Sequence, residues 1–239
     1  MVSSRLALSM EAAILLAPLG AAVGALIFGW FCTRLSGAYL AMLTLAFAQI
    51  LWSGAFQSAW TGGDNGLLGI WPSAWVGSAA GYFYLTLFLS VGAIGLAWRV
   101  IFASFGYALR AARDSALRSE AIGIDVRRQQ WLAFGVAGAL AGLAGGLHAF
   151  HKGSVFPNLL SISQSVDGLV MVLMGGIQTI VGPVIGAAAY HVLQTEIMRA
   201  TEYWRAILGA VILLGVTIFP RGIAGYFGEL RARRGGHSA

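Results

Sequence analysis

Six arginines (Arg99, Arg110, Arg113, Arg118, Arg127, Arg128) and three acids (Asp114, Glu120, Asp125) lie within residues 99–128, and long uncharged stretches flank them. In a chain this apolar such an island is expected to face the cytoplasm, and its helical pattern suggests a surface for a partner. The pattern therefore points to a contact with a soluble protein partner rather than to a catalytic pocket. Residues 107–122 contain no Gly or Pro and are rich in Ala, Leu and Arg, which predicts a helix. Arg110, Asp114 and Arg118 fall at i, i+4 and i+8 on it, an alternating-sign stripe. Leu109, Ala112 and Ala116 share another face, and Gly123 is suited to ending the helix. The plainer reading is a solvated connector whose charges only fix topology.

The remaining reactive side chains are sparse. His148 and His151 are three apart, and His191 lies far along the chain, with no Cys or nearby carboxylate to complete a metal site. No metal site is expected. Asp167 stands near the start of an apolar segment, where it could mark a solute pathway or sit at an interfacial helix N-terminus. Asp64-Asn65 between glycines reads first as a turn and second as part of a gate. Cys32 is the single cysteine, so no intrachain disulfide forms. The phosphate-binding G-x-x-x-x-G-K-[ST] loop is absent, as are G-x-S-x-G and H-E-x-x-H. The chain is expected to have no catalytic residues and no ATPase site of its own.

The elements that must carry these residues are apolar. The chain is 58% hydrophobic and 10% charged, against about 25% charge in a soluble domain. Residues 12–33, 35–63, 65–98, 129–147 and 168–195 have no ionisable Asp, Glu, Lys, Arg or His apart from His191. A membrane-spanning helix needs ~20 mostly apolar residues. About seven hydrophobic segments follow: 12–32, 36–53, 82–101, 130–150, 162–181, 183–202 and 206–220. The N-terminus resembles a signal peptide, but its apolar stretch is too long and no cleavage site follows, so it reads as a span.

A net charge of +6 could suggest nucleic acid, yet ten of the fifteen Lys and Arg residues fall in 99–128 and 221–234. That is the positive-inside pattern of cytoplasmic segments. Nucleic acid is not an expected partner, because no basic face is interleaved with aromatics. With 99–128 inside, alternation also puts Arg34 and the C-terminus, with Arg221, Arg231, Arg233 and Arg234, in the cytoplasm. The loop 54–81, which has no Lys or Arg, goes outside. Trp52, Trp60, Trp71 and Trp75 crowd that loop and its edges, and Trp98 and Trp131 bracket the basic island, as an aromatic belt would.

Two glycine patterns stand out. Gly138, Gly142 and Gly146 repeat every four residues, a stripe along which another helix can approach closely. Gly182 and Gly186 share a face in the same way. Gly175-Gly176 and Gly182-Pro183 break 162–202 into two short helices, either two spans or a re-entrant element lining a cavity.

Several blocks carry a resemblance. The string SEAIGID (119–125) resembles the EAA-type cytoplasmic loop of ABC importer permeases, and ALRAARDSALRSEAIGIDV (108–126) is similar to permeases of the branched-chain amino-acid uptake family. LSGAYLAMLTLAFAQI (35–50), TGGDNGLLGI (61–70), FGVAGALAGLAGGL (134–147) and MVLMGGIQTIVGPVIGAA (171–188) match that family's blocks in the same order. Family members usually carry further spans, including a Gly-rich block, before the part resembling residues 12–50. The expectation is a short form, a truncated chain or a misplaced start, which bears on whether this chain forms a pore unaided.

The resemblance implies an all-α, polytopic transmembrane helical bundle with a cytoplasmic coupling helix, in a bacterial inner membrane. Residues 1–225 would be one permease domain, with coupling loop 99–128, followed by a basic cytoplasmic tail, 226–239. The implied partners are a second homologous permease subunit, two cytoplasmic ATP-binding subunits, an extracytoplasmic substrate-binding protein and membrane lipid. ATP and Mg would be bound by the partner subunits and no cofactor by this chain. Glu120, Ala121 and Gly123 would dock on the ATPase, with Arg110, Arg113, Asp114 and Arg118 shaping the contact. Asp64, Asp167, Gly175 and Gly176 are candidate pathway positions. The implied cargo is a branched-chain amino acid or related small polar solute; urea, short amides or an aromatic acid would suit the same machine. A secondary carrier without ATP is the alternative mechanism, though the apolar regions lack the paired charges expected of one.

Overall fold

Helices make up nearly all the regular structure in the computed structural model, which describes residues 9–73, 76–177, 179, 181–201, 203 and 206–210. In chain order they are α1 (Met10–Cys32), α2 (Ala38–Gln57), α3 (Ala79–Ile101), α4 (Ser104–Asp114), α5 (Ala116–Ala121), α6 (Val126–Lys152), α7 (Ile162–Gly175) and α8 (Val181–Ala200). The fold is an all-α polytopic bundle. The only strands among the described residues are β1 (Leu67–Leu68) and β2 (Ser154–Val155), a two-residue antiparallel ladder.

Among the described residues, α1, α2, α3 and α6 are long and apolar enough to cross a membrane. At ~1.5 Å per residue they reach roughly 30–40 Å, against a hydrocarbon core of about 30 Å. Their outer surfaces suit that solvent: Leu15, Leu19, Val23 and Ile27 form an exposed stripe on α1, and Phe83, Phe88 and Val91 are exposed on α3. In water such a display would drive association. The expected segments 162–181 and 183–202 correspond to α7 and α8, and α7, at about 21 Å, is too short to cross. The seventh segment begins as a helical stretch at 206–210; its remainder, Arg221 and the tail 226–239, with Arg231, Arg233 and Arg234, lie outside the described residues, as does Trp75.

The packing forms two compact units, residues 1–161 and 162–239. In the first, α1 and α6 pack antiparallel through small residues. A Cβ on Gly138 would overlap that of Ala25, one on Gly142 would lie 2.5 Å from Ala21 Cβ and 2.6 Å from Ala17 O, and one on Gly146 would lie 3.3 Å from Ala17 Cβ. The glycine stripe thus faces an alanine stripe of the same spacing, and backbone contact replaces side-chain packing. Gly29 against Phe134 and Gly135 against Leu26 continue the seam. Its far end closes over Met10, Ile14, Val76 and Leu147, where Tyr82 donates its hydroxyl hydrogen to Leu147 O at 2.5 Å.

In the second unit α7 and α8 form a hairpin. Gly175 packs on Gly182, and Gly186 packs on Met171 O and Gly175, with no room for a Cβ at any of the three glycines. The chain turns at Gly176, whose φ of +106° suits glycine. Gly182-Pro183 does not break the helix, contrary to the sequence pattern. It lies in the first turn of α8, where a missing proline N–H costs nothing.

Candidate functional site

The basic island folds into α4, α5 and the N-terminal turn of α6, and one feature departs from the predicted single helix over 107–122. The helix breaks at Ser115, whose backbone is extended (φ −161°, ψ 106°). Its side chain accepts the Arg118 N–H at 3.4 Å, so Ser115 ends α4 and caps α5. The stripe Arg110, Asp114 and Arg118 therefore does not run along one helix: its first two members lie on α4 and the third on α5.

Each member has its own surroundings. Arg110 turns back to α3, donating to Ile101 O at 3.2 Å and lying 5.3 Å from the ring centroids of Phe102 and Tyr107. It ties α4 to the preceding span. Gly106 allows the same reversal, since a Cβ there would overlap the Ile101 backbone. Arg113 and Asp114 pair at 3.3 Å with both side chains 70% exposed, a geometry worth little in stability. Arg118, Glu120, Ala121 and Gly123 are exposed on α5 and just after it.

The opposite side of this short helix is anchored. Ser119 is 2% exposed and donates to Ser115 O at 3.0 Å, and Ile124 N–H donates to Ser119 O at 3.0 Å. Gly123, at φ +87°, reverses the chain toward α6, which Asp125 caps by accepting the Arg128 N–H at 3.0 Å. On α4, Leu109 is half-buried and Ala112 buried, while Ala116, beyond the break, is exposed. The outward face carries two apolar residues that the charge pattern does not single out: Leu117 is 82% exposed and Ile122 75%. These two apolar side chains stand out from an anchored backbone among charged neighbours, an apolar centre with a polar rim.

The other expected positions fall elsewhere. Asp64 is exposed in a 3-10 turn, Gly63–Asn65, in keeping with the turn reading. The same loop pairs β1 with β2, and Gly69 and Ile70 both donate to Gly153 O, so it closes over the end of α6. His151, near that end, stacks on Tyr82 with ring centroids 6.1 Å apart. Asp167 lies beyond the first turn of α7, which sets aside the helix-terminus reading; its carboxylate accepts the Tyr190 hydroxyl hydrogen at 2.7 Å. Tyr190, 2% exposed, has no local sequence signal, because its partner is a full helix away. Asp167, Gly175 and Gly176 share the second unit, and Asp64 belongs to the first.

The family described as the permease component of the branched-chain amino acid transport system matches residues 1–216. The chain belongs to that family. Among similar proteins, the high-affinity branched-chain amino acid transport system permease protein LivM of Escherichia coli is 28% identical, over 87% of this chain and 56% of its own. LivM of Salmonella typhimurium matches with the same identity and coverage. The autoinducer 2 import system permease protein LsrC of Salmonella typhi is 27% identical over 67% of this chain and 49% of its own. This permease-family chain spans about half the length of the curated relatives it matches. No solved structure matches it.

Proposed function

We propose that this chain is a permease subunit of an ABC importer in a bacterial inner membrane, with α5 as its coupling element. The observation that carries the reading is the exposed helix isolated by Ser115, seated through Ser119 and presenting Leu117, Glu120 and Ile122. A cytoplasmic ATP-binding subunit receives that face. Two such subunits hold ATP and Mg, a second permease completes the pathway, and an extracytoplasmic binding protein delivers the solute. Closure of the ATPases pushes on α5. The push passes through Arg110 and Gly106 to α3 and through Ile124 to α6, moving those helices as rigid bodies.

Branched-chain amino acids are the favoured cargo, supported by the LivM similarity. The LsrC similarity supports a second reading, the same machine with an autoinducer 2-like solute. Co-purification from membranes with candidate ATPase subunits tests the coupling assignment, comparing wild type with Leu117→Asp, Glu120→Arg. Capture is expected to fall at least about tenfold, as for loss of an interface hot spot, while the variant inserts normally. Equal capture of both forms would refute α5 as the docking element.

A further inference from the structure

We propose that the Arg34 end of α1 and the start of α6 together bind an anionic phospholipid, headgroup phosphate on Arg34, Arg127 and Arg128 and one acyl chain along the neighbouring groove. Two adjoining cavities carry this. The first, about 370 Å³, has Arg34, Arg127, Arg128, Asp125 and Thr33 as its polar lining. The second, about 360 Å³, is walled by Val23, Leu26, Ile27 and Phe31 and is almost wholly apolar. Trp30 and Trp131 line both, so a basic chamber opens directly onto a hydrocarbon groove.

The junction is fixed. The two indoles meet edge-on with centroids 5.9 Å apart, and the Trp131 indole N–H donates to Leu26 O at 2.7 Å. The Arg34 guanidinium lies 4.7 Å over the Trp30 ring, held at the chamber. Asp125, the one acid in the lining, is engaged in capping α6. Three guanidiniums against one carboxylate leave the chamber positive, which suits a phosphate and disfavours a headgroup bearing its own ammonium. Inorganic phosphate would satisfy the chamber but leave the groove open. An amphiphile with one negative head satisfies both, and tryptophans at the boundary occupy the depth where headgroup meets acyl chain.

The inference rests on the membrane embedding of the chain, and its leaflet on the inward orientation of 99–128. Native mass spectrometry of the full chain, released from micelles containing equal phosphatidylglycerol and phosphatidylcholine, tests it. Phosphatidylglycerol is expected to be retained at least about fivefold over phosphatidylcholine, on ~1 kcal/mol per arginine near an anionic head. Arg34→Gln, Arg127→Gln, Arg128→Gln is expected to abolish that preference. Val23→Trp, which fills the groove and keeps every charge, is expected to lower retention as well. Equal retention of the two lipids, or a preference that survives the arginine variant, overturns the proposal. Full displacement by millimolar inorganic phosphate, with no effect of Val23→Trp, would make this a site for a free anion and overturn the lipid assignment. Micelles have no leaflets and the assay contains no ATPase, so failure here leaves the docking role of α5 standing, and failure of docking leaves this site standing.

Discussion

At the scale of single residues, charge and contact separate. The charged side chains of the island are conspicuous in the sequence, yet Arg110 serves the α3–α4 corner and Arg113 pairs with its own neighbour. The docking face proposed for α5 rests on Leu117 and Ile122 instead, two exposed apolar residues in a polar segment. Tyr190 and Asp167 make the sharpest residue-scale prediction. Tyr190→Phe removes the donor but leaves the half-buried carboxylate, so the α7–α8 hairpin should lose about 1–3 kcal/mol. Asp167→Asn keeps an oxygen that can accept the tyrosine hydrogen and should cost less. Thermal unfolding in detergent of the two variants and wild type checks the order; a Tyr190→Phe protein as stable as wild type would mean the bond contributes nothing.

At the scale of elements, helix packing follows the glycines, but not all of them equally. Gly142 lies on the seam with Ala17 and Ala21, whereas Gly145, three residues along the same helix, has open space where a Cβ would be. Gly142→Leu is therefore expected to destabilise the chain by at least ~2 kcal/mol through overpacking, and Gly145→Leu to stay within about 0.5 kcal/mol of wild type. Equal effects, read as shifts in Tm, would contradict the α1–α6 seam. The helices themselves were legible because ~20-residue apolar runs leave few alternatives to a span, and the stripe Gly138, Gly142, Gly146 was legible as a close-approach face. Its partner was not: Ala17, Ala21 and Ala25 sit among many alanines, and nothing local marks one stripe as the receiver. The break at Ser115 was hidden for a related reason. Its neighbours are good helix formers, and only the buried seat of Ser119 and the cap from Ser115 favour two helices over one. Gly182-Pro183 misled in the other direction, since proline in a first helical turn is as acceptable as proline outside a helix.

For the whole molecule, the orientation deduced from arginine placement makes a direct prediction. With the buried Cys32 as the only native thiol, Asn65→Cys should react with a membrane-impermeant maleimide on spheroplasts. Ala121→Cys should react only after the membrane is opened. Labelling of both from outside would contradict the proposed topology, and labelling of the Ala121→Cys protein alone would invert it. Family membership was legible from ordered blocks along the chain, while cargo was not, because no titratable cluster in the spans describes a solute. The claim on which the functional reading turns is the contact of α5 with an ATP-binding subunit. The most direct measurement is photocrosslinking in membranes from a photoreactive amino acid substituted for Leu117, with a second chain carrying it at Leu45 on the exposed side of α2 as reference. Covalent capture of the ATPase from position 117 and not from 45 is the predicted result. Capture from neither position while the complex stays assembled, or from both alike, would contradict it.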